Sequence, residues 1–459
     1  MSKVFSTLIC SAALLMSAAS YGQTWKSVGS ATGISGGGAS DISLYATGRA
    51  NLDTLYVSYT DASASNGITV QMYAGGAWTT VGSAGFATTS RSSKLAVVGG
   101  VPYVAFSWGG SGHSYKANVE SFNGSTWAPM AGGTDFSKGT INNVVFAYGG
   151  FGLNYYVGYS DSNTGIATIK QWDGSNYAPI GNASTGTATY NSMALYNAAT
   201  PMVISIDQGN SILPTAKYYI PPPGAGWLDL ALPASTTGAY TQIASNGSVT
   251  YAVYSDYSNG KQDVAYKFNG PPATASWVNV GSVSGFTTDE ADYNSLAIEN
   301  NTTQPVVAFC RKVGSTQGKA NVMHYTGTNW ASVGPADFSD GAATYTVLAL
   351  NKGGDYFVAY SDANYGGKLV VKKFANPAAV PNVPNNTARL EVYPNPSTGA
   401  FTVKGDANTY SILNTIGQMV RTISLNAANN YSATVSNLEA GVYFIHGTNG
   451  VNEKVVVTK

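Results

Sequence analysis

The sequence predicts an all-β fold built from a repeated four-stranded unit, and three observations carry that expectation. The composition is that of strands and turns, with 31 Tyr, 53 Gly and only 10% charged residues. A Trp or Tyr, two variable residues, an aliphatic and usually a Gly recur at Trp25, Trp78, Trp127, Tyr177, Trp227, Trp277 and Trp330, in steps of 53, 49, 50, 50, 50 and 53. Between these anchors the same order of short apolar runs returns, bounded by Gly, Asn, Asp or Ser, which is the grammar of an antiparallel meander. A fixed period of this length marks a repeat architecture.

The chain opens on a segment that reads as a signal peptide, residues 1–22. Lys3 supplies a short positive region, Val4 to Met16 an apolar one, and Ser17-Ala18-Ala19 or Ser20-Tyr21-Gly22 a small-residue exit, with cleavage expected before Gln23. The apolar surroundings of Cys10 argue against a lipid-anchored reading. Once the leader is removed Cys310 is the one cysteine left, so no internal disulfide can form and stability must come from burial and strand pairing. Cys310 falls in the strand Pro305–Cys310, where a small buried hydrophobe is expected. No other apolar run reaches the length of a transmembrane helix. Lys+Arg and Asp+Glu are equal at 23 each, which leaves no basic excess for binding nucleic acid.

Residues 23–375 hold the repeat. The second unit reads Lys94–Val98, Pro102–Trp108, Asn118–Phe122 and Trp127–Met130; the fifth reads Thr241–Ala244, Val249–Ser255, Asp263–Phe268 and Trp277–Val280. Four short strands per ~50 residues is the proportion of a β-propeller blade. First, second and third strands occur seven times, the last set being Tyr345–Leu350, Asp355–Ser361 and Leu369–Phe374. That last set lacks a fourth strand, and the strand at residues 24–29 has no set before it. Seven blades closed by the N-terminal strand are therefore expected, an arrangement that leaves no open sheet edge at the seam. The recurring aromatic is read as packing between neighbouring blades.

A second recurrence follows the second strand: Tyr-Thr-Asp61, Tyr-Ser-Asp161, Tyr-Ser-Asp256 and Tyr-Ser-Asp362, each with a Gly four to six residues later. An Asp that accepts from backbone amides and a Gly that supplies positive φ make this a turn signature. The alternative is a ring of carboxylates for Ca²⁺, although each turn offers one such ligand where Ca²⁺ loops supply several. The departures from this pattern suggest a site. The corresponding segments read Ser107-Trp108-Gly109-Gly110, Asp207-Gln208-Gly209-Asn210 and Arg311-Lys312. Together with the connections at Asp135–Lys138, Asp289–Tyr293 and Asp337–Asp340, they are expected to share one face. Trp108, Tyr257, Asp289, Glu290, Arg311 and Tyr365 would ring the mouth of a central channel there, a mixture suited to a glycan or a protein surface.

Residues 376–388, with three prolines in a polar stretch, read as a linker. Beyond them the 50-residue period is gone. Residues 389–459 carry Leu390-Glu391-Val392-Tyr393-Pro394-Asn395-Pro396 with Gly399 and Phe401, then Tyr410 to Asn414, Gly417-Gln418, Leu438, Gly441-Val442-Tyr443-Phe444 and Lys454 to Val457. In that order these elements resemble the C-terminal sorting domain of the type IX (Por) secretion system of Bacteroidetes. The resemblance implies a small Ig-like β-sandwich, the type IX machinery as partner, and export to the outside of the cell, with sorting marks at Pro394, Asn395, Pro396, Gly417, Gln418, Gly441, Val442 and Tyr443. The short alternating strands of the tail agree with a sandwich.

No catalytic constellation can be assembled from the sequence. His113, His324 and His446 are far apart, and His324 sits at a variable strand position that suggests a solvated residue. There is no His-Glu-x-x-His helix and no Gly-x-Ser-x-Gly elbow. A glycosidase pair drawn from Asp135, Asp289, Glu290, Asp292 and Asp337 depends on placement in space. Two functions of different class follow: a non-catalytic secreted module that binds glycan or protein, without a cofactor, or an extracellular polysaccharide-degrading enzyme. Two convergent, partly buried carboxylates would favour the enzyme. Asp53-Thr54-Leu55 resembles a short O-glycosylation sequon of Bacteroidetes and is too brief to interpret.

Overall fold

The structure, a computed structural model, describes residues 24–47, 53–149, 154–197, 199–222, 226–233, 236–270, 276–314, 316–375, 390–405, 409–414, 418–447 and 452–458. The signal-peptide, linker and Gly417 assignments lie outside these residues. The chain divides into two compact units, Met1–Ala379 and Val380–Lys459.

The first unit is antiparallel sheet throughout. Its sheets begin at the inner strands Ala39–Thr47, Ser90–Val98, Ile141–Tyr148, Gly238–Ser245, Glu290–Ile298 and Ala343–Leu350, together with the second half of the long strand Tyr177–Tyr196. In its first half that long strand is the fourth strand of the third set; in its second half it opens the fourth set, so the two sets merge into one seven-stranded sheet. The remaining sets in this unit are four-stranded. The N-terminal pair Lys26–Ser27 supplies the fourth strand of the last set, with Lys26 opposite Lys373 and Ser27 opposite Lys372. Each inner strand packs on the next, and the strand at Ala343–Leu350 packs back on Ala39–Thr47. Side chains alternate by the pleat, and the middle strands, covered on both faces, are buried almost end to end; Tyr356–Asp362 and Thr250–Asp256 are buried at every position.

At Trp25, Trp78, Trp127 and Trp330 the recurring Trp stitches its sheet to the one before it. Its indole N–H donates to the carbonyl of the aliphatic residue in the preceding unit: Trp78 to Val28 (2.8 Å), Trp127 to Val81 (2.8 Å) and Trp330 to Val280 (2.9 Å). Trp25 makes the same bond to Val333 at 3.1 Å across the chain ends. The ring stacks on an aromatic from the connection before its sheet, Trp330 on Phe286 at 3.8 Å and Trp25 on Phe338 at 4.2 Å. The Gly of the motif follows from this close approach. A Cβ on Gly281, at φ +91°, would lie 2.8 Å from Trp330 Cδ1. At the opposite end of the seam Lys373 binds Asp53 at 2.6 Å and Asp355 at 2.9 Å.

The Asp turns are built as the turn chemistry demands. Asp61, Asp207, Asp256 and Asp362 each cap a short 3-10 turn and accept from the amide two residues on, at 2.9 Å in every case. In Asp207 and Asp362 the second oxygen reaches the connection ahead of the same sheet, at 2.7 Å to Thr185 N and 3.2 Å to Asp340 N. Arg311 and Lys312 correct the expectation of a turn there. The strand runs on from Pro305 to Val313, and Arg311 and Lys312 face Ala291 and Glu290 in its ladder.

The second unit holds two antiparallel sheets, one of Leu390–Tyr393, Ala400–Gly405 and Ser432–Ser436, the other of Met419–Ser424, Thr409–Asn414, Gly441–Gly447 and Asn452–Val457. They share a core of Phe401, Val403, Tyr410, Ile412, Val435, Ile445 and Val455. Asn395 pins the last strand: its Nδ2 donates to Lys454 O at 2.6 Å and its Oδ1 accepts from Val456 N at 3.0 Å. Pro394 and Pro396 flank it, each in a cis peptide bond. Gln418 N donates to Asn414 Oδ1 at 2.9 Å, and Tyr443, on the strand that begins Gly441-Val442, donates its hydroxyl to Glu439 O at 2.9 Å.

Candidate functional site

Each inner strand of the first unit carries a β-bulge near its start, seen as a register shift between Ser40 and Ser43, Arg91 and Lys94, Asn142 and Val145, Thr189 and Ser192, Ala239 and Gln242, Asp292 and Ser295, and Thr344 and Val347. The extra residue is left-handed in every case: Asp41, Ser92, Asn143, Tyr190, Tyr240, Tyr293 and Tyr345 have φ between 49° (Asp41) and 55° (Tyr293). A side chain in this region costs roughly 1–2 kcal/mol per residue, so seven together require support from their surroundings. For Asp41, Asn143 and Tyr190 that support comes from the next sheet. Ser93 Oγ donates to Asp41 O at 3.0 Å, Asn191 Nδ2 to Asn143 O at 3.3 Å, and Thr241 Oγ1 to Tyr190 O. The residue after the bulge closes the stitch, with Ser43, Ser192 and Ser295 accepting from Leu95, Ile243 and Leu348 amides at 3.1, 3.1 and 2.9 Å. Bulges of this kind re-aim side chains, and strain of this kind gathers at functional sites.

The seven residues line one central cavity of about 250 Å³. Three are short and polar, and four consecutive ones are tyrosines that pack as an arc. Ring centroids lie 4.9 Å apart for Tyr190–Tyr240, 5.3 Å for Tyr240–Tyr293 and 5.2 Å for Tyr293–Tyr345, with tilts of 45° to 53°. Among the described residues none of these four hydroxyls has a hydrogen-bond partner. Tyr190 and Tyr345 are exposed, at 39% and 37%. Burial pushes the Tyr293 phenol up to about 12, with Tyr345 adding to it, and pushes Tyr240 higher still, helped by the Asp292 carboxylate. All four are therefore neutral donors at physiological pH.

Sequence reasoning looked one layer outward, at the loops that share this face. There Asp289, Glu290, Arg311 and Tyr257 are brought together. Arg311 spans Asp289 (3.2 Å) and Asp337 (2.5 Å). Lys312 reaches Glu290 at 3.5 Å and Asp292 at 3.8 Å, and Lys261 reaches Glu290 at 3.4 Å while lying 5.5 Å over the Tyr257 ring. Burial raises Asp292, with Glu290 adding to the rise and Lys312 opposing it. The other two stand apart in their own clusters. Trp108 stacks on His113 at 3.4 Å, whose Nδ1 lies 2.9 Å from Asp135, and Tyr365 donates to Asp340 at 2.6 Å.

The signal missed in the sequence is the repeat Tyr190-Asn191-Ser192, Tyr293-Asn294-Ser295, Tyr240-Thr241 and Tyr345-Thr346 at the start of the inner strands. The expectation of a solvated His324 is also corrected. Its Nδ1 lies 3.1 Å from Glu299, which accepts from Tyr356 at 2.6 Å. Burial alone would raise Glu299, but the hydrogen bonds from His324, Thr302 and Tyr356 hold it below its usual range. Cys310 is fully buried beside Thr346, and burial pushes its thiol up to about 12, which leaves it unreactive at neutral pH.

Among the described residues no group of three or more His, Cys, Asp or Glu converges as a metal centre would, and no helix is long and apolar enough to cross a membrane.

No curated protein matches the sequence. Among solved structures the chain is similar to a Mycobacterium tuberculosis puromycin-hydrolyzing peptidase (9% identity, 83% of this chain and 61% of that one, TM-score 0.47). It is also similar to the Hadza microbial sialidase Hz136 (13% identity, 71% and 74%, TM-score 0.42). A third is the Aleuria aurantia lectin in complex with alpha-methyl-L-fucoside (15% identity, 73% and 96%, TM-score 0.40). At this level the similarities carry over neither ligand nor activity. The tail is another matter. Residues 391–458 match the secretion system C-terminal sorting domain family, so the C-terminal unit is a type IX sorting domain and directs the chain to the cell surface or outer membrane.

Proposed function

We propose that the first unit is a seven-bladed β-propeller, closed by residues 24–29, that binds a glycan at the mouth of its central channel without cleaving it. The tail, read as an Ig-like sandwich, delivers it to the surface through the type IX machinery, where it serves adhesion or capture. The single observation that carries the binding role is the arc of four left-handed tyrosines with unpartnered hydroxyls. The strained arc offers flat apolar faces for a sugar ring and donors for its hydroxyls, which is the chemistry of a specific polar pocket. The volume suits a small end group more than a long chain segment. The outer residues Trp108, Tyr257, Asp289, Glu290, Arg311 and Tyr365 then form a rim, where most charges already have partners and contribute little to affinity. The reading requires no cofactor.

The enzyme reading keeps one observation in its favour: Glu290 and Asp292 approach the same Lys312, and burial raises Asp292. Both carboxylates are engaged by Lys312, which a substrate would have to displace. A glycan-array screen of residues 23–386, with and without Ca²⁺ and scored for both binding and turnover, tests the proposal. Binding without turnover supports it, turnover moves the site to the Glu290–Asp292 pair, and silence on both counts overturns the glycan reading and leaves a protein partner as the leading alternative.

A further inference from the structure

We infer that Lys94 makes the channel selective for an acidic glycan, its ammonium anchoring a carboxylate of the sugar that rests on the tyrosine arc. This rests on the glycan reading above and deepens it. Lys94 ends the bulge on the second inner strand, two residues past Ser92, and lines the same cavity. The equivalent residues of the other inner strands are Ser43, Val145, Ser192, Gln242, Ser295 and Val347. Bulge geometry therefore does not need a cation at this position, since six neutral residues form it equally well.

Among the described residues the Lys94 ammonium makes no hydrogen bond and no ion pair. Asp41, from the first inner strand, is the one other charged residue in the cavity wall. Burial lowers the amine below its usual range, and Asp41 draws it partly back. Lys94 is half-buried, and an ammonium held there without a paired anion is only partly solvated; a carboxylate arriving with the ligand relieves this by forming a charge-assisted hydrogen bond. Asp41 does not take this role itself, because its carboxylate stays beyond ion-pair distance and lies 3.4 Å from the Thr60 hydroxyl. It is left to accept from sugar hydroxyls. The ligand thus meets a flat aromatic wall on one side and a lysine among short polar groups on the other, which is the complement of a uronic-acid-type sugar.

The test uses the full secreted chain and matched probes: uronic-acid oligosaccharides and the same oligosaccharides with their carboxyls reduced to alcohols. The wild type is expected to bind the acid at least ~10-fold more tightly, one well-placed ion pair being worth about that factor. Lys94→Gln, which copies Gln242 of the fifth strand and is therefore compatible with the fold, should lose that preference and keep binding to the neutral form. Lys94→Arg should retain it, and Asp41→Asn should strengthen acid binding. Equal affinity of the wild type for acid and neutral partners, or a preference that survives Lys94→Gln, overturns the role of Lys94 and leaves the glycan site standing. Absence of binding to either member of every pair overturns the glycan site and this inference together.

Discussion

Replacing Trp25 by Ala tests the proposed closure of the first unit by its N-terminal strand. Trp25 lies 308 residues from the carbonyl it binds, stacks on Phe338 at 4.2 Å and meets Phe374 at 5.4 Å. It is 9% exposed. A Trp side chain buries roughly 200 Å², and at about 25 cal/mol/Å² that corresponds to ~5 kcal/mol, an upper value because the unfolded chain already hides part of that surface. Losing the indole hydrogen bond adds ~1 kcal/mol by leaving the Val333 carbonyl short of a donor. Partial collapse of the cavity reduces the total, and ~3–5 kcal/mol is expected. The control is Trp127→Ala, which breaks the same kind of stitch at an internal seam, where Trp127 stacks on Phe86 at 4.4 Å and donates to Val81 O. Urea unfolding of residues 23–379, followed by circular dichroism, reads both. Similar losses for the two variants support closure by the N-terminal strand. A loss below ~1 kcal/mol for Trp25→Ala beside a full loss for Trp127→Ala would refute it, because the seam would then not bear load.

Three further outcomes follow from particular contacts. Gly281→Ala should destabilise the first unit by ~1–3 kcal/mol, since the new methyl meets Trp330 and φ is +91°; the same unfolding assay checks it, and an unchanged midpoint would contradict the packing reason for the motif. Asp263 is fully buried and hydrogen-bonded to Asn294 at 2.6 Å, and burial pushes its carboxyl up to about 8. Its folded value lies above its unfolded one, so its contribution is intact below about pH 4 and is lost as pH rises towards 8. Asp263→Asn should therefore raise the melting temperature at pH 8 and change it little at pH 4, whereas an effect independent of pH would show that burial of the acid is not the cause. Asn395→Ala removes two bonds to the last strand and should cost the tail ~1–2 kcal/mol. Fractionation of expressing cells should then show retention of the chain; undiminished export would mean that this pin is dispensable for sorting.

Much of this molecule is legible in its sequence because the period repeats a physical need. Trp25 and Trp330 mark the same stitch at opposite ends of the unit, and the Gly beside each aliphatic residue records the space the next Trp requires. The Asp turns are readable for a similar reason, since Asp61, Asp256 and Asp362 satisfy local amides that any chain turning at that point must satisfy. The sorting tail was legible from spaced residues, and Asn395 has a visible structural duty within it. The cavity was not. A left-handed bulge usually announces itself through Gly or Asn, and here Tyr190 adopts it with Thr241 of the next sheet holding its carbonyl. Arg311, Asp289 and Glu290 are expected at the channel mouth, yet in space Arg311 pairs with Asp289 and Asp337, and Glu290 with Lys312 and Lys261.

The claim at the centre of this account is that ligand sits on the tyrosine arc rather than on the charged rim. It is tested by titrating one bound glycan into two double variants, Tyr240→Ala with Tyr293→Ala, and Trp108→Ala with Arg311→Ala. The account predicts a loss of at least ~100-fold in the first pair, two stacked aromatic anchors being worth a few kcal/mol, and a change within ~3-fold in the second. Wild-type affinity in the arc variant with binding abolished in the rim variant would contradict it.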